Sequence, residues 1–118
     1  MYILEKELKF SSAHHLENKP GLITKKCLNI HGHCWKVLVK VQIHGIEDDM
    51  VIDFSALKNI VDELDHKDLN EVLSFNPTAE NIAKYLYDQI VDLFEEDRLP
   101  IVEVTVEESS GAKITYRL

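Results

Sequence analysis

The sequence lacks several features that mark particular protein classes. Its 118 residues include only two cysteines, Cys27 and Cys34, which are too few for a disulfide scaffold and make a cytoplasmic location the expectation. Basic residues are in the minority, with 13 Lys and Arg against 21 Asp and Glu. The formal net charge of −8 therefore argues against a partner bound through broad phosphate contact, whether nucleic acid or a membrane surface. No apolar run approaches the roughly 20 residues of a spanning helix, and the N-terminus has no signal-peptide pattern.

The remaining composition is typical of a soluble globular protein. Hydrophobic residues make up 45% of the chain and charged residues 29%, with 4 Gly and 3 Pro. A chain of this length fits one compact domain, and residues 1–118 contain no internal repeat, linker or low-complexity tract. We therefore expect a single domain with one core.

Alternating apolar residues predict strands near both ends of the chain. The first strand is predicted over residues 1–10, and a second begins at His31 and places Trp35 on its apolar face. Residues 101–108 alternate in the same way, and one more strand follows the Ser110-Gly111 turn. Met50–Phe54 is predicted as a further short strand.

Helical spacing dominates the middle of the chain. Leu57, Ile60, Val61 and Leu64 follow the i, i+3, i+4, i+7 pattern, and Thr78 is the expected N-cap of a second helix that ends before Pro100. The element order predicts an α+β fold with helices on one face of an antiparallel sheet. A sheet of about four long strands leaves two open edges, so self-association is expected.

Three histidines are candidate metal ligands. His31 and His33 lie two residues apart on a strand, so both imidazoles emerge on its apolar face. His14 follows the first strand and can supply a third ligand if the two strands pair. Three histidines without an obvious fourth ligand are typical of a catalytic zinc site with an open position. Structural or incidental roles remain the alternative, whereas His15 should point away and His44 should face solvent.

The two thiols have different expected environments. Cys27 lies in the irregular segment Leu16–Ile30, four residues before His31. It is a candidate base or nucleophile, a small buried hydrophobe, or the fourth ligand of a closed structural zinc site. Cys34 has the opposite strand parity to the histidines, and we expect it to fill a small space in the core.

Two further groups are candidates for acid–base chemistry and binding. Asp65 lies beside His66, and a carboxylate next to an imidazole can orient it for proton relay. Glu108 continues the parity of Val106, so its carboxylate lies at the end of an apolar face and needs a hydrogen-bond donor. A ligand with adjacent N–H groups would satisfy it, although an exposed strand end is an equal alternative.

Taken together, these segments resemble the 6-pyruvoyltetrahydropterin synthase and 6-carboxytetrahydropterin synthase family. The matching segments run from Phe10 to Ser109. They are Phe10-Ser11-Ser12-Ala13-His14, Cys27-Leu28-Asn29-Ile30-His31-Gly32-His33, Val51-Ile52-Asp53-Phe54 with Leu57-Lys58, Leu64-Asp65-His66 with Leu69-Asn70, Asn76-Pro77-Thr78-Ala79-Glu80-Asn81, and Glu107-Glu108-Ser109.

The resemblance implies a tunnelling fold (T-fold) and a homo-oligomer. Members form trimers whose sheets close into a barrel, and two trimers stack into a hexamer with active sites between subunits. By the same resemblance His14, His31 and His33 would hold Zn²⁺. Cys27 would be the proton-transferring thiolate, with Asp65 and His66 as the relay. Glu108 would bind the amino and N–H edge of a pterin, and Thr78 would help line the pterin pocket.

The substrate implied by the resemblance is 7,8-dihydroneopterin triphosphate. The microbial branch forms 6-carboxytetrahydropterin, releases acetaldehyde and triphosphate, and serves queuosine-type deazapurine synthesis. We favour this branch because the chain is short and because of its Ala13-His14 motif. One alternative is the pyruvoyl-forming synthase, which eliminates triphosphate without side-chain cleavage, and another is a non-catalytic zinc or pterin-binding module. His15 stands where relatives often have Arg, and Lys25 and Lys26 are candidate contacts to the triphosphate.

Overall fold

A computed structural model describes residues 1–17, 25–98 and 100–118, without the side chains of Lys25 and Lys26. The described strands are β1 (Tyr2–His14), β2 (His31–Ile43), β3 (Ile101–Ser109) and β4 (Ala112–Arg117). The described helices are α1 (Lys25–Leu28), α2 (Phe54–Asp62), α3 (Leu69–Val72) and α4 (Ala79–Val91).

The four strands form one antiparallel sheet in the order β1-β2-β3-β4. β1 and β2 are paired along their whole length, from Tyr2 opposite Ile43 to His14 opposite His31. Their pairing confirms the neighbour relation on which the third histidine ligand depends. The fold therefore belongs to the α+β class, as the element order predicts.

The core lies between one face of the sheet and helices α2 and α4. Alternate residues of β2, from Trp35 to Val41, are completely buried, and Val102, Val104 and Val106 of β3 are buried beside them. From the helices, Leu57 and Leu86 are also completely buried. Because strand side chains alternate between faces, the apolar parity of β2 and β3 decides which face receives the helices.

Side-chain caps begin both long helices. The Asp53 carboxylate accepts the Ser55 backbone N–H at 2.9 Å, and the Thr78 hydroxyl accepts the Asn81 N–H at 3.1 Å. The prediction of Thr78 as an N-cap is therefore confirmed. Each helix is shorter than its apolar pattern: α2 ends at Asp62, and the buried Leu64 lies in the following turn.

Other sequence predictions were wrong in detail. Met50–Phe54 is not a strand, because Met50 forms only an isolated bridge with Glu47 and Phe54 already begins α2. α1 and α3, one turn each, carry no long apolar period and were not expected. Cys34 is exposed rather than buried, since its parity places it on the sheet face opposite the helices. Part of the predicted irregular segment, residues 18–24, lies outside the described residues.

Among the described helices, none combines the length and apolar character needed to cross a membrane.

Candidate metal centre

The three predicted histidine ligands meet at one end of the β1–β2 pair. His14 lies directly opposite His31 in the register, and His33 follows two residues later on the same face. The ring centroids are 4.6 Å apart for His14 and His31, 5.1 Å for His14 and His33, and 4.8 Å for His31 and His33. All three rings meet edge to face, so the imidazoles form a compact triangle.

Main-chain carbonyls fix the tautomer of two of these rings. The Nδ1 atom of His14 lies 2.8 Å from the Pro77 carbonyl oxygen, and that of His31 lies 2.7 Å from the Asn29 carbonyl oxygen. A carbonyl can only accept, so each Nδ1 carries the proton and donates it. The lone pair of the neutral ring is then on Nε2, as in metal-binding histidines held by an outer partner.

Glu108 completes the cluster. Its Oε1 atom lies 3.0 Å from His33 Nε2, and one ligand atom from each of the three histidines and Glu108 lies within 4.8 Å of the others. This position confirms that Glu108 faces the apolar side, as its parity predicts. The contact does not have hydrogen-bond geometry, and within the described part of the chain the buried His33 Nε2 has no hydrogen-bond partner.

The residues fit a divalent metal ion. The Nε2 atoms of His14 and His33 are both buried, and neither has a hydrogen-bond partner among the described residues, a state that costs free energy unless a ligand is present. Burial lowers the pKa of His14 and of His33, outweighing the Pro77 hydrogen bond at His14 and the Glu108 charge at both rings. Both rings are therefore held in the neutral, metal-binding form. Imidazole nitrogens with one carboxylate oxygen are a donor set that zinc accepts.

A tryptophan forms the wall behind the triangle. Trp35 is completely buried, and its ring meets His14 at 5.0 Å and His33 at 5.4 Å between centroids. Its indole N–H donates to the Ser12 carbonyl at 3.3 Å. A rigid apolar ring on this side limits the orientations open to the two imidazoles and keeps water away from them.

Asp65 and His66 form the predicted pair, next to β1. Asp65 Oδ1 accepts the Ser11 backbone N–H at 2.8 Å, and Asp65 Oδ2 lies 2.9 Å from His66 Nδ1. Its pKa is lowered by the Ser11 hydrogen bond first and by the His66 side chain second. The carboxylate thus orients an imidazole that is 83% exposed and available to a ligand.

The backbone at His66 is unusual. Its φ of +55° lies in the left-handed region, which costs a non-glycine residue about 1–2 kcal/mol. The His66 N–H donates to the Ser11 carbonyl at 2.6 Å, and the Ser12 hydroxyl bonds the Leu64 carbonyl. These contacts to β1 offset the strain and hold the Asp65–His66 pair beside the strand that bears His14.

Cys27 lies outside the metal cluster. It is half-buried in α1, and its backbone carbonyl accepts the Leu16 N–H at 2.9 Å, which holds α1 against the segment that follows His14. Its Sγ atom is not one of the four ligand atoms within 4.8 Å of one another. Lys25 and Lys26, the candidate triphosphate contacts, have side chains outside the described part of the structure.

Sequence reasoning missed the outer partners of the histidines. The carbonyls of Pro77 and Asn29 leave no mark in a side-chain pattern, although both belong to segments that carry the family resemblance. His44 is exposed, as predicted. His15 does not join the cluster, and its backbone instead contacts the side chain of Asn70.

Comparison with known proteins agrees with the family resemblance of the sequence. A family profile described as 6-pyruvoyl tetrahydropterin synthase matches residues 3–118. A Synechocystis protein named 6-carboxy-5,6,7,8-tetrahydropterin synthase is 36% identical over 101 residues, covering 76% of this chain and 75% of that protein. An Aquifex aeolicus protein of the same name is 32% identical over 123 residues, covering 78% and 76%. The Caenorhabditis elegans 6-pyruvoyl tetrahydropterin synthase structure has a TM-score of 0.71 at 27% identity, covering 98% and 94%. The chain therefore belongs to the 6-pyruvoyl tetrahydropterin synthase family.

Proposed function

We propose that this chain is a zinc-dependent 6-carboxytetrahydropterin synthase. It would convert 7,8-dihydroneopterin triphosphate to 6-carboxy-5,6,7,8-tetrahydropterin, with release of acetaldehyde and triphosphate. The observation that supports this most strongly is the group of three imidazoles and Glu108, whose ligand atoms lie within 4.8 Å of one another. The names of the Synechocystis and Aquifex aeolicus relatives favour the carboxy product.

His14, His31 and His33 would hold the zinc ion through Nε2. Bound there, zinc would supply Lewis-acid withdrawal of electrons from the side-chain hydroxyls of the substrate and so acidify the neighbouring C–H bonds. The carbonyls of Pro77 and Asn29 keep two of the ligand rings in the required tautomer.

Cys27 and His66 would move the protons. In this proposal the Cys27 thiolate removes a proton from the substrate side chain, and His66 exchanges protons on the opposite side of that side chain. Asp65 keeps the imidazole oriented, because one of its oxygens contacts His66 while the other accepts from β1. The pterin ring is reduced at the expense of its own side chain, so the reaction needs no redox cofactor.

Glu108 would bind the pterin ring. A carboxylate can accept two parallel N–H bonds from the amino group and the ring N–H, which matches its position at the end of an apolar face. Thr78 would line the same pocket from the start of α4. Its hydroxyl oxygen accepts from Asn81, which leaves its O–H proton for a ligand.

The products distinguish the two enzymatic alternatives. The zinc-loaded protein is incubated with 7,8-dihydroneopterin triphosphate, and the products are identified by mass spectrometry together with an aldehyde assay. Acetaldehyde and the carboxy product are expected in equal amounts. Triphosphate release without acetaldehyde would replace our proposal with the pyruvoyl-forming reaction.

Thiol alkylation separates an enzyme from a non-catalytic zinc module. If Cys27 serves as a thiolate base, it should react in the zinc-loaded protein, whereas a thiol that ligates zinc should be protected. The described geometry favours the first result, because the Cys27 Sγ atom is not among the clustered ligand atoms. Protection of Cys27 by zinc, together with absence of turnover, would support the module.

We propose that the working form is a homohexamer built from two trimers of the tunnelling fold. β1 and β4 are the edges of the sheet, and Tyr2 and Ile3 on β1 are half or more exposed. Joining such edges between copies would close the sheets into a barrel and place active sites between subunits. Analytical ultracentrifugation tests this, and a species of single-chain mass would contradict it.

We expect Glu108→Gln to weaken pterin binding without loss of zinc. The change keeps the side-chain size and removes the charge, and hydrogen bonds to a charged group contribute about 1.5–3 kcal/mol, or roughly 10–150-fold in affinity. Fluorescence titration with 7,8-dihydroneopterin measures the binding, and metal analysis of the same sample measures the zinc.

Glu107→Gln is the matched control. Glu107 lies on the opposite face of β3 and accepts the Gly111 N–H at 3.0 Å, a role that glutamine can keep. It should bind the pterin like the parent protein. If Glu108→Gln instead loses zinc, the carboxylate is a metal ligand and the pterin contact must be sought elsewhere.

A further inference from the structure

Three asparagine side chains connect the end of β1 to the segments that surround it. Asn70 belongs to α3, Asn76 precedes α4, and Asn81 lies in its first turn. None was expected to have a role beyond the family resemblance. We name the set Asn70, Asn76 and Asn81 the asparagine frame.

Asn70 takes the place of a neighbouring strand. The β1–β2 pairing ends at His14 and His31, so the backbone of His15 lies beyond the ladder. Asn70 Oδ1 accepts the His15 N–H at 2.8 Å, and Asn70 Nδ2 donates to the His15 carbonyl at 3.0 Å. One amide thus satisfies both main-chain groups of the residue next to a ligand and continues the extended backbone.

Asn76 and Asn81 fix the carbonyl that orients His14. The Asn76 carbonyl accepts from the Thr78 N–H at 2.9 Å and from Asn81 Nδ2 at 2.9 Å, which closes a tight turn around Pro77. The Asn76 side chain accepts the Glu17 N–H at 3.0 Å and so ties this turn to the chain beyond His14.

We propose that the asparagine frame consists of positioning residues for the metal centre. It holds the segment after β1 against the turn before α4, so that the Pro77 carbonyl meets the Nδ1–H of the buried His14 at 2.8 Å. The ring is then locked with Nε2 toward the metal. The proposal rests on the metal centre proposed above and assigns part of its affinity to residues that never touch the ion.

Zinc affinity tests the frame directly. The zinc-loaded chain is titrated with a competing chromophoric chelator at fixed pH, at a temperature where circular dichroism shows each variant folded. Asn70→Ala and Asn76→Ala should each bind zinc about fivefold more weakly, the usual effect of losing about one hydrogen bond's net contribution. The double variant Asn76→Ala/Asn81→Ala should lose about tenfold or more, because it frees the Pro77 turn at both attachments.

Substitution by aspartate should affect zinc affinity differently at two positions of the asparagine frame. In its contacts with the described residues the Asn76 side chain acts only as an acceptor, so Asn76→Asp should bind zinc like the parent protein. Asn70 both accepts and donates, and Asn70→Asp loses the donor and sets a carboxylate against the His15 carbonyl. Asn70→Asp should therefore bind zinc as weakly as Asn70→Ala does. Asn59→Ala, on the exposed face of α2, is the control for the substitution itself and should have no effect.

The proton on His14 provides a readout independent of zinc affinity. In NMR spectra of the parent protein the His14 Nδ1–H should exchange slowly with solvent, and in the double variant it should exchange much faster. Unchanged affinity and unchanged exchange in the folded double variant would overturn the proposal. If the parent protein itself retains no zinc, the proposed function fails, whereas the exchange measurement on the same protein still decides the role of the frame.

Discussion

His33→Ala is expected to abolish zinc retention and turnover together. His33 supplies one of three imidazoles, and its Nε2 atom lies 3.0 Å from Glu108 Oε1 within the cluster. Structural zinc sites with four ligands bind with about 10–16 kcal/mol, so one ligand contributes about 3 kcal/mol. The loss in zinc affinity should therefore be about hundredfold or more. Metal analysis after dialysis and a product assay measure the two effects.

Thermal unfolding gives a measurement that needs no substrate. Zinc at about a thousand times its dissociation constant stabilises a folded protein by about 4 kcal/mol, so it should raise the unfolding temperature of the parent protein by roughly 10–25 °C. At the same zinc concentration His33→Ala, with its affinity at least hundredfold lower, should show at most about a third of this increase. His44→Ala, an exposed histidine just beyond the other end of β2, is the matched control and should respond to zinc like the parent. Equal zinc responses in both variants would exclude His33 as a ligand.

The sheet and the metal cluster could be predicted because both depend on strand periodicity. The apolar parity of β2 places His31, His33 and Trp35 on one face, and the same parity in β3 carries Glu108 to that face. The cluster also depends on the register of the β1–β2 pair, which places His14 opposite His31. A period of two, the pairing of neighbouring strands and the burial of one face are enough to bring these side chains together.

Other features depend on contacts that a local pattern does not contain. The Asp65–His66 pair is fixed by hydrogen bonds to Ser11, 54 and 55 residues earlier, and by a left-handed backbone at His66. Parity alone also misplaced Cys34, since it identifies the face of a strand but not whether a second layer covers that face. α3 is too short for a helical period, although it positions Asn70.

Cys27→Ala is expected to remove turnover while leaving the metal centre intact. Cys27 lies in α1 outside the four ligand atoms, so the zinc content and the folding of the variant should match the parent. General acid–base groups typically contribute 10²–10⁴-fold in rate, and we expect a loss of at least about hundredfold in kcat. Steady-state kinetics with 7,8-dihydroneopterin triphosphate and metal analysis of the same preparation test both statements.

Cys34→Ala makes this comparison specific, because the chain contains only these two thiols. Cys34 is exposed on the sheet face opposite the helices, and the single substitution Cys34→Ala should leave kcat unchanged. Cys27→Ser should remain far below the parent, since a hydroxyl has a much higher pKa than a thiol and is a poor base near neutral pH. Turnover retained in Cys27→Ala would remove the thiol from proton transfer and leave His66 as the group to test next. Loss of zinc from that variant would instead make sulfur a ligand and favour a closed, non-catalytic site.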